Sequence, residues 1–208
     1  MEDLLQRDLS WRRKEIANLY LAAISTQAES QSRAVRSGIL LAYAHLEGFS
    51  RYAVRSYLIY IQGRNLSYGE LANNLLALKI SRMVSQGTAK ASYYRASVDL
   101  LITALSSPAI LPNPDVISAK SNLSYAQFCE LLFCVNIDPE PFSLRQRFFD
   151  EVLLDRRNAI AHGEFRRPSV DDYIEIHNGV LDLLDKLEEV IVQAAVGERY
   201  KRVLVAPA

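Results

Sequence analysis

The sequence predicts an all-α fold, a helical bundle of at least four long helices. Three observations predict it. Apolar residues recur at helical spacing over most of the 208 residues. Half of the residues are hydrophobic, ample for a substantial core, and charged residues make up an ordinary 23%. The breaks between apolar stripes carry turn chemistry: Gly63-Arg64-Asn65, Ser106-Ser107-Pro108, Asp138-Pro139-Glu140-Pro141 and Gly163.

Taken in order, Leu5, Leu9, Ile16, Leu19, Tyr20, Ala23 and Ile24 predict an amphipathic helix over about residues 2–29. A second helix is expected from after Ser32 to Gln62, with apolar residues on nearly every face. Val35, Ile39, Leu40, Ala42, Tyr43, Leu46, Phe49, Ala53, Tyr57 and Ile61 mark it as central, packed from several sides. Residues 67–106 read as two or three shorter helices punctuated by Gly69 and Gly87, and 123–135 as another. Together, 67–141 read as an insertion or a set of cover helices on one helical core, so the whole chain 1–208 is expected to be a single domain. Ser143 is the expected N-cap of the next helix, with Leu144, Phe148, Val152 and Leu153 inward and Gly163 as its stop. Ser169 and Asp172 have the spacing of a capping box. They open a last helix over about 170–195, with Tyr173, Ile176, Val180, Leu184, Leu187 and Ile191 inward. The tail from Tyr200 is a strand or a frayed end.

Charge narrows the partners. Lys+Arg and Asp+Glu balance at 24 each, so the chain is no basic nucleic-acid glove, and a phosphate ligand must be met by a local cluster. Cys129 and Cys134 lie too far apart for CxxC, and no second pair completes a zinc site. They read as buried thiols in a reducing, cytoplasmic setting. No apolar run follows Met1-Glu2-Asp3 as in a signal peptide, and none reaches the roughly 18 residues of a membrane span.

The densest chemistry is Arg157-Asn158-Ala159-Ile160-Ala161-His162-Gly163. A guanidinium can grip a phosphodiester by two hydrogen bonds and neutralise charge developing on phosphorus. An imidazole can move a proton near neutral pH, and a helix end favours a cation there. RNA brings its own nucleophile, the 2′-OH, so these groups suit metal-independent RNA cleavage with no cofactor. Positions 157 and 162 lie about 140° apart on an ideal helix, and share a face only if the chain turns at Gly163. From spacing alone, an Arg and a His near a helix end equally suit a solvated face or a cap. One local His is also one short of an acid and a base, a shortage that a symmetric dimer resolves.

Arg157-Asn158-x-x-x-His162 resembles the signature of the HEPN superfamily: Arg, four to six residues, then His, often with Asn directly after Arg. The segment Ala42-Tyr43-Ala44-His45-Leu46-Glu47-Gly48-Phe49 resembles the second helix of a prokaryotic branch of that superfamily. The resemblance covers 33–62 and 143–195 and implies a HEPN-like helical bundle with additional helices in the middle of the chain. It implies a dimer and an endoribonuclease of a toxin–antitoxin or antiviral defence system, with RNA as substrate and an antitoxin or other defence protein as partner. By the same resemblance, Arg157 and His162 form the catalytic pair and Asn158 positions them. Arg156 also satisfies the spacing, so which arginine acts is open.

Glu47, an acid on an otherwise apolar helix, must find a partner: Arg157 or Arg156 is the functional choice, and a salt bridge made purely for structure is the equal alternative. His45 reads as a core or interface histidine and His177 as exposed. Arg145, Arg147, Arg166 and Arg167 flank the motif and, with Arg156, are the candidate basic rim for RNA; a solvated surface is the plainer reading. A non-catalytic module that binds RNA, nucleotide or protein is the alternative function. A nucleotidyltransferase-associated partner role is a third.

Overall fold

The computed structural model describes residues 1–26, 28–86, 91–103, 105–111, 122–164 and 167–203. Helix α1 spans Glu2–Ser25 and stops at Thr26, which has extended backbone. The stripe predicts a later end. The hydroxyls of Ser25 and Thr26 instead donate back to the carbonyls of Leu21 and Ala22, closing the helix with side-chain bonds. Ile24, expected inward, is consequently exposed in the last turn.

Helix α2, Ala28–Gln62, starts before Ser32 and is central as expected. Val35, Ile39, Tyr43, Leu46, Phe49, Ala53, Tyr57 and Ile61 are all buried. Asn65, at φ 54°, completes the predicted break. Helix α7, Val170–Val196, buries the six residues predicted to face inward. The three long helices α1, α2 and α7 pack against one another pairwise, and the core lies among them.

The middle of the chain adds a one-turn 3₁₀ helix at Tyr68–Glu70, then α3 (Asn73–Gln86), α4 (Ala91–Thr103) and α5 (Tyr125–Phe133). Gly69 lies inside the 3₁₀ turn, while Gly87 and 112–114 fall outside the described residues. Helices α3 and α4 pack on each other, and α5 packs on α2. A capping box between Ser124 and Gln127 opens α5. Cys129 and Cys134 are half-buried, not fully buried as expected, and burial pushes both thiols up from their ordinary pKa.

The helix that carries the motif departs most from expectation. Its N-cap is Pro139; Ser143 lies inside a 3₁₀ helix, Glu140–Arg145. Phe148–Leu154 is then π-helical, shown by the Asp155 N–H donating to the Asp150 carbonyl five residues back. Helix α6, Asp155–Ala161, follows without a break. The tighter 3₁₀ turns and then the wider π turns shift the inner stripe from α spacing, so Phe142, Phe149, Leu153 and Ile160 are buried, whereas Leu144 is 96% exposed. Phe148 and Val152 are half-buried. Phe148 lies against Gly179 of α7, where any Cβ would fall inside its ring.

Tyr200 is fully buried, and its carbonyl accepts the Ala72 N–H. Two isolated bridges, Ser67 with Pro108 and Leu71 with Lys201, are the only β-pairing among the described residues. None of their helices is long and apolar enough to cross a membrane.

Candidate functional site

Gly163 ends α6 as the sequence predicts, with φ +76°. The Gly163 N–H donates to the Ile160 carbonyl at 3.1 Å and the Glu164 N–H to the Ala159 carbonyl at 2.9 Å. That pair of bonds is a Schellman end, which needs a left-handed residue and so favours glycine. His162 is its C-cap, at φ −83° and ψ 3°, and its backbone N–H donates to the Asn158 carbonyl. It is exposed, and its imidazole makes no hydrogen bond to another described residue.

The two candidate arginines, adjacent in sequence, point to different neighbours. Arg156 turns to α7: Nη2 donates to Asp172 Oδ1 at 2.7 Å, and Nη1 lies 3.6 Å from Glu175 and donates to the Val152 carbonyl. Asp172 is also the capping-box residue of α7, its other carboxylate oxygen accepting the Ser169 N–H at 2.8 Å. Its bonds to the Ser169 backbone and hydroxyl, and then the Arg156 charge, hold the Asp172 carboxyl below the usual carboxylate range. Arg156 is therefore committed to a strut between α6 and α7.

Arg157 turns the other way. Its guanidinium carbon lies 4.8 Å from the centre of the Tyr43 ring on α2. Its Nη1 donates to Asn158 Oδ1 at 2.9 Å and to Asn122 Oδ1 at 3.1 Å. Asn122 Nδ2 donates to Asn158 Oδ1 at 3.2 Å, which closes a triangle of neutral groups around one cation. The Tyr43 hydroxyl accepts the Leu123 N–H, so the same ring fixes the segment that carries Asn122. Burial, then Glu47, pushes the Tyr43 phenol up from its ordinary pKa. No carboxylate among the described residues forms an ion pair with Arg157, so its charge is positioned but not neutralised.

The remaining candidates separate. Glu47 pairs with Arg51 one turn along α2, Nη2 to Oε1 at 2.6 Å, and not with either motif arginine. Four residues apart on one helix, the two side chains are neighbours on its surface. Arg145 pairs with Asp182 and Arg147 with Glu151. Asp182 is ten residues along α7 from Asp172, or about 15 Å, so Arg145 is tied to the middle of α7, and Arg147 is tied to its own helix. They do not join a rim around the motif. Arg167 lines a cavity of about 300 Å³ with Arg156, Ile160, Pro168 and Asp172, beside the motif's end. Arg166 lies outside the described residues. His45 is buried as expected, with Nε2 3.0 Å from Glu15 and its ring edge-on to Trp11, and burial lowers its pKa. His177 is half-buried, not exposed, because Tyr20 stacks on it with centroids 4.5 Å apart.

The sequence has a family match: the model of the MAE_28990-like HEPN family matches residues 1–200. The chain belongs to that HEPN family. The matched range takes in 67–141 as well as the two segments whose residues carry the resemblance. No curated protein and no solved structure is detectably similar to this HEPN protein. Among the described residues, no group of three or more His, Cys, Asp and Glu is placed to hold a metal ion.

Two residues of this HEPN protein that hold Arg157 are not legible in the sequence. Tyr43 reads as core because it sits in the α2 stripe, and nothing local shows that its face carries a cation. Asn122 is 35 residues from Arg157, in a stretch with no periodicity to place it.

Proposed function

We propose that this HEPN protein is a homodimeric, metal-independent endoribonuclease. The observation that carries the reading is Arg157: a guanidinium held by Tyr43, Asn122 and Asn158 keeps its charge available for an anion. Arg157 binds the non-bridging oxygens of a phosphodiester and offsets the charge that develops as phosphorus becomes pentacoordinate. The substrate's 2′-oxygen attacks phosphorus and its proton passes to a general base. The bond to the 5′-oxygen breaks, and an acid protonates the leaving oxygen. The products are a 2′,3′-cyclic phosphate and a 5′-hydroxyl end. His162 supplies one of the two proton transfers, and His162 of a second copy across a two-fold axis supplies the other. Asn158 and Asn122 position Arg157, while Arg156 and Glu47 act only through the packing of α6, α7 and α2.

A toxin or antiviral defence role in the cytoplasm, with an antitoxin or other defence protein as partner, completes the proposal, and the chain acts as a single HEPN-like domain. A second reading has its own support. The His162 ring lacks an orienting hydrogen bond among the described residues, which suits a HEPN module that binds RNA without cutting it. Wild type and His162→Ala are compared on bulk RNA in EDTA, with analysis of the product ends. Cleavage to cyclic phosphate by wild type alone is expected. Equal degradation by both proteins sinks the catalytic assignment, and loss of wild-type cleavage in EDTA sinks the metal-free mechanism.

A further inference from the structure

A ribonuclease with balanced charge needs a local way to hold its substrate, and the structure has one away from the motif itself. The cavity beside Arg156, Ile160 and Arg167 shares Arg167 and Pro168 with a larger groove of about 630 Å³. That groove runs between the loop before α7 and the first two turns of α2, where Arg33 and Arg36 line it. Neither forms an ion pair with a described carboxylate, and among the described residues the Arg33 guanidinium bonds only the Ser30 hydroxyl, at 3.3 Å. Elsewhere on the surface, Arg13, Arg51, Arg145 and Arg147 are each paired with an acid. One carboxylate, Glu29, lines the groove against three arginines.

We propose that this groove holds the sugar–phosphate backbone of single-stranded RNA, with Arg33 and Arg36 gripping phosphates of the strand whose scissile bond lies at the Arg157–His162 motif. The inference rests on the ribonuclease reading for its substrate, not for its geometry. A single strand is favoured because in-line attack by a 2′-OH requires an unpaired, flexible backbone. Among the described residues no aromatic side chain lines the groove; Arg33 and Arg36 contact phosphates, and such contacts carry no base preference. The distance from Arg33 to the motif in sequence hides the connection; the packing of α7 beside the start of α2 creates it.

The test measures fluorescence anisotropy of a labelled oligouridylate dodecamer with the full chain carrying His162→Ala, so that no cleavage intrudes. Adding Arg33→Gln with Arg36→Gln is expected to weaken binding at least tenfold. It should also lower the slope of log K against log salt by about 1.4, at roughly 0.7 per phosphate contact on a single strand. The Arg33→Lys, Arg36→Lys pair keeps the charge and should retain the slope, which separates phosphate contact from misfolding. The charge-matched pair Arg145→Gln with Arg147→Gln should leave binding within twofold. Equal weakening by both Gln pairs, no weakening by either, or tighter binding of duplex than of single strand overturns the groove. Cleavage by wild type is scored separately. RNA binding that depends on Arg33 and Arg36 without wild-type cleavage removes the nuclease reading and leaves the groove standing; cleavage without that dependence does the reverse.

Discussion

Arg157 lies over the face of the Tyr43 ring at 4.8 Å, and the hydroxyl of that ring accepts the Leu123 N–H. One aromatic side chain on α2 thus joins the motif to the segment that supplies Asn122. The two interactions are separable. Tyr43→Phe keeps the ring beneath the cation but leaves a buried N–H without its acceptor, at a cost of about 1 kcal/mol in urea unfolding. Tyr43→Leu removes both, and RNA cleavage should fall at least tenfold further than in Tyr43→Phe. Equal activity in the two variants would show that the ring does not position Arg157.

The adjacent arginines should separate in the same way. Arg157→Ala is expected to reduce cleavage by about a hundredfold or more, the scale of losing one charge-stabilising donor, with little change in melting temperature. Arg156→Ala breaks the bonds to Asp172 and the Val152 carbonyl. It should cost about 1 kcal/mol, or roughly 3 °C in melting temperature, and reduce cleavage less. A reversed pattern in paired calorimetry and activity measurements would make Arg156 the catalytic arginine.

Gly163→Ala is a test of backbone alone. A Cβ there meets nothing within 4 Å, yet φ is +76°. The left-handed conformation costs an alanine about 1 kcal/mol, so stability should fall by that amount without any steric clash. Because His162 is the preceding cap residue, cleavage should fall more than stability does. Unchanged kcat together with the expected loss of stability would argue that the placement of His162 is irrelevant.

Asp172 gives the acid limb a defined sign. Its folded carboxyl titrates below the usual range because of its bonds to Ser169 and then the Arg156 charge. The unfolded carboxyl therefore takes up a proton first as pH falls, so the stabilisation is full above about pH 4 and fades below it. Asp172→Asn should flatten the dependence of unfolding free energy on pH in that window and lower stability at neutral pH. A variant with an unchanged acid slope would mean that the Asp172 bonds do not hold α6 to α7.

Some of this site is legible in the sequence. The stop at Gly163, the capping box of Ser169 and Asp172 and the inward face of α7 all follow from contacts within one turn of helix. The register of the motif helix was not legible, because periodicity assumes 3.6 residues per turn and Phe148–Leu154 is π-helical. Leu144, exposed, lies in the tighter 3₁₀ turns before that stretch, and Phe149, buried, lies within it, so neither follows a 3.6-residue stripe.

By itself the sequence determined the all-α class, the long helices and the Arg157–His162 motif, since these rest on local periodicity, caps and one left-handed glycine. Only the tertiary structure decided what each charge faces. Asp172, 16 residues away, takes Arg156, and Asn122, 35 residues away, takes Arg157. Arg33 and Arg36 join the groove near the motif through the packing of α2 beside α7. Adjacent residues on a helix point about 100° apart, so neighbours in sequence acquire different partners, and only the packing of other helices determines which.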